Sequence, residues 1–100
     1  MKNQVAKTIL EQLGGNRFIA MTGASSFAGG EFSLSFRIPR TNKIKAVIVT
    51  LNGLDLYDMR FVGQKNAPSH EVFDVAVHKN VTFEDLQPLF TKETGLYTHL

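Results

Sequence analysis

The sequence contains no cysteine and no tryptophan, and only three prolines interrupt its 100 residues. Without cysteine it has no disulfide, no thiolate metal site and no thiol nucleophile. No apolar run approaches the roughly 18 residues of a membrane-spanning helix, and the N-terminal segment MKNQVAK lacks the apolar core of a secretory signal. These absences exclude thiol chemistry, and they predict a protein of the reducing cytoplasm that does not enter the membrane.

The composition is that of one folded domain, which we place at residues 1–100. Hydrophobic residues make up 43% of the chain and aromatic residues 10%, which is enough for a single core. The formal net charge is +2. A charge this small permits an anionic partner without demanding one, so the placement of the basic residues matters more than their number.

An apolar stripe predicts a helix from Gln4 to Leu13. Val5, Ile9 and Leu13 recur at the spacing of one helix face. Gly14 follows the last apolar residue, as glycine often does after a helix end. We expect this helix to pack its stripe on the core.

A second helix is predicted near the C-terminus. The segment TFED, from Thr82 to Asp85, has the form of a capping box with aspartate in place of glutamate. The helical pattern then continues to about Thr94, and Gly95 ends it. Pro88 removes one backbone hydrogen-bond donor and predicts a kink.

The segment IKAVIVTL, from Ile44 to Leu51, predicts a strand at the centre of a sheet, because it is short, β-branched and apolar on both faces. Alternating patterns and turn residues predict four more strands. The loop GASSFAGG, from Gly23 to Gly30, lacks the Gly-Lys-Ser/Thr ending of a phosphate-binding P-loop. The expected strands are Arg17–Thr22, Glu31–Ile38, Ile44–Leu51, Leu54–Val62 and His70–His78.

The pair Asn52-Gly53 sets the expected strand register, because it is the strongest short hairpin signal. A two-residue turn pairs Leu51 with Leu54. Between the preceding two strands, apolar residues oppose each other when Phe36 pairs with Ala46. The expected inner face, against which the helices pack, then contains Leu34, Phe36, Ile38, Ile44, Ala46, Ile48, Tyr57, Met59 and Phe61.

The opposite sheet face carries the candidate site. In the expected register Arg37, Lys45 and Arg60 form one row across three strands. Like charges directly opposite one another destabilise a sheet, so such a row usually has an anionic ligand or a nearby carboxylate beside it. With Asp58 as that carboxylate, the face is a solvated sheet face with an internal salt bridge. Phosphates are one such ligand, and an aromatic ring can stack on a base. The candidate nucleic-acid-binding residues are Arg37, Arg40, Lys43, Lys45, Arg60 and Phe27.

Apolar residues on the same face indicate an alternative. Val47, Val49 and Leu56 are expected there, and they argue against a fully solvated face. A second copy of the chain or a host protein would cover this patch. The alternative is therefore a protein-interaction module, either a homodimer or an inhibitor of a host protein.

Enzymatic and metal sites are not predicted. His70, Asp74 and His78 share one side of a strand, but positions four apart are separated by roughly 13 Å, too far for a shared metal ion. Asp55 and Asp58 lie on opposite faces of their strand, which argues against a paired-carboxylate site. We expect a non-enzymatic protein with no metal ion and no cofactor.

Three segments resemble a family of small, largely uncharacterised bacteriophage and prophage proteins. They are RFIAMTGA at residues 17–24, VTL with the following DLYD at residues 49–58, and DLQPLFTKETGLYTHL at residues 85–100. The resemblance covers most of the chain, from about Ile9 to Leu100. It implies a cytoplasmic protein of a phage-infected or lysogenic bacterium, and it brings no catalytic residue.

These patterns together predict an α+β fold with an N-terminal helix, an antiparallel sheet of about five strands and a C-terminal helix packed on one sheet face. The order of strands followed by a helix also resembles the Whirly-type single-stranded-DNA-binding domains, which bind DNA on the sheet face away from the helices. This likeness concerns the fold, which does not fix a function. The leading hypothesis is binding of nucleic acid, single-stranded DNA first, on the open sheet face.

Overall fold

The computed structural model describes residues 4–41, 43–65, 68–69 and 71–98, with the side chain of Arg40 outside this description. Within this part of the chain, three α-helices and a five-stranded antiparallel sheet form an α+β fold, as the sequence predicts. The elements are α1 (Gln4–Leu13), α2 (Gly15–Thr22), β1 (Ser25–Gly29), β2 (Ser33–Thr41), β3 (Ile44–Leu51), β4 (Tyr57–Gln64), β5 (Val72–Val81), a 3₁₀ turn (Phe83–Asp85) and α3 (Leu86–Thr94).

The sheet follows chain order, β1-β2-β3-β4-β5, so each strand pairs with its sequence neighbours. β3 lies in the middle, as its apolar character predicts. Its residues Val47 and Val49 are fully buried. β1 and β5 are the two edges, and the pairing of each with its neighbour contains a bulge or other irregularity.

The loop between β3 and β4 is wider than the expected two-residue turn. Leu51 pairs with Tyr57 and not with Leu54. The backbone N–H of Asn52 donates to the carbonyl of Leu56 at 2.8 Å. In the same loop the side-chain oxygen of Asn52 accepts hydrogen bonds from the backbone N–H groups of Leu54 and Leu56, at 2.8 and 3.3 Å. These bonds favour the wider loop, because Asn52 satisfies backbone donors that a tight turn would not present.

The wider loop moves the partner of Leu51 three residues along β4, and an odd shift exchanges the two faces of β3. Against β2 the register differs by one residue, since Phe36 pairs with Val47 and not with Ala46. The expected inner positions of Ala46 and Ile48 are therefore wrong, whereas β2 and β4 keep their expected faces. The buried strand residues are Leu34, Phe36, Ile38, Ile44, Val47, Val49, Tyr57, Met59, Phe61, Val62 and Val81.

Residues 15–22 form a helix and not the expected strand. The hydroxyl of Thr22, which is buried, donates to the carbonyl of Phe18 at 2.7 Å, and Gly23 ends the helix at φ 72°. The backbone N–H of Gly23 donates to the carbonyl of Ile19 at 3.0 Å. This is the left-handed glycine ending of a helix. The next residues, expected to be a loop, form the edge strand β1.

The helices pack on the inner sheet face through an aromatic cluster. Phe18 of α2 lies 5.4 Å from Phe36 of β2 and 5.1 Å from Phe90 of α3, measured between ring centroids, and both pairs are edge-to-face. From α1, Ile9 and Leu13 join the same core. Edge-to-face contacts add roughly 0.5–1.5 kcal/mol per pair to the burial of the rings.

The start of α3 departs from the predicted capping box. Thr82 donates its hydroxyl to the carboxylate of Asp85 at 3.2 Å and makes no side-chain hydrogen bond to the backbone. Pro88 lies in the first turn of α3, where a backbone N–H has no intrahelical partner in any case. The proline is therefore compatible with the helix at this position, and the expected reason for a kink is absent.

Gly63 in β4 has no room for a side chain. A methyl group at this position would overlap the backbone carbonyl oxygen of Lys43 and lie 2.7 Å from the ring of Phe73. We expect Gly63→Ala to lower the free energy of unfolding by about 1–3 kcal/mol, because the turn before β3 or the ring must move. Urea unfolding followed by circular dichroism measures this loss.

Gly53→Ala is the matched control, because nothing lies within 4 Å of a methyl group there and the residue is exposed. Its effect should stay within about 0.5 kcal/mol. Equal stability changes in the two variants would contradict the close approach at Gly63.

The buried phenol of Tyr57 should make the protein less stable at alkaline pH. Burial raises the pKa of its phenol above 10.0, against the lowering effect of the hydrogen bond to Gln12. The folded state therefore prefers the neutral phenol. This stability is fully present below the unfolded pKa and is lost as pH rises through the folded pKa. Urea unfolding at about pH 8 and about pH 11 should show a smaller alkaline loss for Tyr57→Phe than for the unchanged protein. Equal losses would show that Tyr57 does not carry this dependence.

Candidate nucleic-acid interface

The sheet face opposite the helices has no helix over it in the described part of the chain. Two rows of directly paired residues cross four strands of this open face. One row is Ser35, Ile48, Arg60 and Val77, and the other is Arg37, Ala46, Val62 and Asp74. The open face is thus mixed, with polar, apolar and charged side chains side by side.

The three predicted cations do not form a single row. Arg37 pairs with Ala46, and Arg60 pairs with Ile48 in the next row. The expected row is wrong because β3 has the other register. Lys45 instead donates its ammonium group to the side-chain oxygen of Gln64 at 2.7 Å.

Arg37 and Lys45 nevertheless meet at one place. Both line a hollow of about 180 Å³, together with Gly63, Gln64 and the apolar residues Ala46, Val62 and Val72. Among the described residues, the lining contains two cations and no carboxylate. Neither cation forms an ion pair with any carboxylate of the described residues. The hollow therefore offers an anion two positive charges that no described carboxylate pairs with.

Arg60 differs because a carboxylate neutralises it. Its Nη2 lies 2.8 Å and its Nε 3.2 Å from one oxygen of Asp74 on β5. Both side chains are about half exposed, so the pair contributes only roughly 0–1 kcal/mol to stability. It nevertheless lowers the availability of Arg60 to an outside anion.

Asp58, the carboxylate expected to offset the cations, has another role. Its Oδ1 accepts hydrogen bonds from the side-chain amide of Asn52 and from the backbone N–H of Asn80, both at 3.1 Å. Asn80 adopts φ 58° and accepts a further bond from the Asn52 amide at 2.9 Å. Asp58 thus joins the loop before β4 to the end of β5, and the carboxylate that pairs with Arg60 is that of Asp74.

Phe27 lies on the helix side of the sheet. In β1, Ala28 pairs with Ser35 of the open face, so Phe27 is directed to the inner face, where its ring lies 5.5 Å from that of Phe36. Its expected position beside the cations is wrong. Lys43 is exposed in the turn before β3 at φ 68°. The side chain of Arg40 lies outside the described residues.

The expected apolar patch is also displaced. Val47 and Val49 lie in the core with no exposed surface, because the register of β3 directs them to the helices. Leu56 is half-buried in the loop before β4. Edge strand β5 carries exposed apolar residues instead, and Val72, Val75 and Val77 are 60%, 37% and 45% exposed. Their β-branched run was visible in the sequence, but its edge position depended on the sheet order.

His78 is the one histidine whose structure is described, and it pairs with a carboxylate. His78 lies with Nε2 3.1 Å from a carboxylate oxygen of Glu93, which links β5 to α3. Across the residues that the structure describes, no group of three histidine, cysteine, aspartate or glutamate side chains is arranged to hold a metal ion. His70 lies outside these residues. No helix in the described part is long and apolar enough to cross a membrane.

Comparison of the chain with protein-family models, with curated proteins and with solved structures gives no match. The resemblance to phage proteins therefore stays a prediction. What can be concluded about function rests on the geometry of the open face and of the surfaces around it.

Proposed function

We propose that this chain is a non-enzymatic nucleic-acid-binding protein that holds a backbone phosphate of a single strand in the hollow between Arg37 and Lys45. The observation that carries the proposal is the pair of cations in one hollow whose described lining holds no carboxylate. The guanidinium of Arg37 offers several donors in a plane, and the ammonium of Lys45 adds a point charge. Both are suited to phosphate oxygens.

The surface around the hollow is suited to contact several nucleotides of a single strand. Exposed Lys43 extends the positive charge at the turn before β3. Across the face, Ile48 and Val77 flank Arg60 in their row and present apolar surface. Unpaired bases can lie on such a surface, whereas the bases of a duplex are already stacked. Binding of a single strand is therefore favoured over binding of a duplex.

The open-face rows contain no aromatic side chain. Phe27, the expected stacking residue, packs on the other side. Affinity should then come mainly from phosphate contacts and the release of counterions, with little sequence preference and a strong dependence on salt. Following the resemblance to phage proteins, we place this activity in the bacterial cytoplasm.

Removing the two cations tests the proposal. In fluorescence anisotropy with a labelled single-stranded DNA, we expect Arg37→Ala with Lys45→Ala to weaken binding at low salt by at least about tenfold. The slope of log affinity against log salt should fall by roughly 0.7 for each lost phosphate contact. Arg60→Ala should weaken binding less, because Asp74 already shares that guanidinium.

The matched control removes two lysines from the helix side, Lys7→Ala with Lys92→Ala, both of them exposed. It changes the net charge by the same amount and leaves the open face unchanged. If this control weakens binding as much as the open-face variant does, the interaction is non-specific attraction. No binding by the unchanged protein at low salt would overturn the proposal.

A second candidate function, a homodimer, is favoured by the exposed valines of β5. An edge strand offers unpaired backbone groups to another strand, and Val75 and Val77 add apolar surface beside them. A second copy of β5 would supply the same groups about a two-fold axis and extend the sheet.

Sedimentation velocity tests this dimer. We expect the protein to sediment as a dimer at micromolar concentration, and Val75→Lys with Val77→Lys to shift it to the monomer, because the charges oppose edge pairing. Leu54→Lys is the control, since Leu54 is 71% exposed in the loop between β3 and β4. A monomer at every concentration would contradict this candidate function.

A further inference from the structure

A larger cavity, of about 740 Å³, lies on the helix side of the molecule. Its walls come from α1, from the 3₁₀ turn before α3, from α3 and from the segment that follows it. Small-molecule sites in proteins measure roughly 300–1,000 Å³. The cavity is separate from the hollow on the open face and shares no residue with it.

Two exposed aromatic side chains line this cavity. Phe83 is 58% exposed and Tyr97 is 68% exposed, and they lie on either side of α3 in the chain. Neither ring forms a ring contact with another aromatic residue of the described chain. Pro88, which lies between these two residues in the sequence, adds apolar surface to the lining. Apolar side chains that converge at one exposed place are typical of a binding site.

The polar groups at the base of the cavity already bond to each other. Gln12 accepts the phenol hydrogen of Tyr57 at 2.7 Å with its side-chain oxygen, and its backbone carbonyl accepts a hydrogen bond from the side-chain amide of Gln87 at 3.0 Å. Thr98 in turn donates its hydroxyl to the side-chain oxygen of Gln87 at 2.8 Å. This network holds α1, α3 and the C-terminal segment together, so the site is preorganised.

The charge of the cavity determines what it can hold. Glu84 is the one charged residue in its described lining, and it is exposed next to Phe83. The faces of aromatic rings carry negative potential and attract cations. A carboxylate beside two such rings favours a positively charged organic group and disfavours phosphates and carboxylates.

We propose that this cavity binds an organic cation, a guanidinium or alkylammonium group, between Phe83 and Tyr97 with Glu84 as its counter-ion. The volume accommodates such a group together with its apolar stem. Glu84 sets the sign of the ligand charge, and the two rings bind its polarisable face. The site works independently of the open sheet face.

The test uses two cationic probes and one neutral probe in NMR titrations of the full chain. Nα-acetyl-arginine amide stands for an arginine side chain of a peptide, choline stands for a free quaternary amine, and Nα-acetyl-citrulline amide is the uncharged match of the arginine probe. We expect at least one cation to shift the ring resonances of Phe83 and Tyr97, and the citrulline probe to bind more weakly. The probe that binds identifies the source of the cation.

Variants test the named residues. Glu84→Gln and Phe83→Leu should each weaken cation binding by about 2- to 5-fold, and Arg37→Ala with Lys45→Ala should leave it unchanged. Glu31→Gln, an exposed carboxylate in the β1–β2 loop, is the control for loss of one negative charge. Equal binding of the arginine and citrulline probes, an unchanged affinity in Glu84→Gln, or no binding of either cation would overturn the proposal.

Discussion

The side-chain amide of Asn52 joins the loop before β4 to β4 itself and to the end of β5. Its oxygen accepts two backbone N–H groups of the loop, and its nitrogen donates to Asp58 and Asn80. In a hairpin, the number and conformation of the loop residues fix the register. Here that number decides that Val47 and Val49 meet the helices, so the core and the open face both depend on one asparagine.

On the inner face, this register supplies the surface on which the phenylalanine cluster forms. Phe36 contacts Phe18 and Phe90, which belong to helices far apart in the sequence. Because the three helices of the described residues pack on this side, none of them covers the other face. The exposed cations and the exposed edge valines are thus consequences of a one-sided core, and both proposed interactions use surface that the core leaves free.

Periodicity was sufficient to predict several elements. The bounds of α1 and β3 agree with the expected segments, and α3 ends at Thr94 as Gly95 predicts. Residues 17–22 were wrongly predicted as a strand. A short segment with apolar residues on alternate positions fits the periodicity of a helix as well as that of a strand. The sequence signal that indicates a helix here is the pair Thr22-Gly23. The same pair of residue types, Thr94-Gly95, ends α3 with the same hydrogen bonds.

The candidate site could be predicted only in part. Arg37, Lys45 and Arg60 were expected on the open face, and their neighbours there follow from strand register. The pairing of Arg60 with Asp74 depends on a β4–β5 register with two irregularities, and local sequence does not specify it. The aromatic cavity was missed for a related reason, because Phe83 and Tyr97 come together only when the chain folds back around α3.

The two Thr-Gly helix endings have an electrostatic consequence. Gly23 lies against Pro39, so that a methyl group there would be 3.1 Å from the proline ring, and the carbonyl of Thr94 accepts a hydrogen bond from Thr41. The C-termini of α2 and α3 therefore converge on the same end of β2. Each carries roughly half a negative charge from its aligned peptide dipoles. Lys43 lies in the turn that follows this end of β2, where a positive charge is favoured by both helix dipoles.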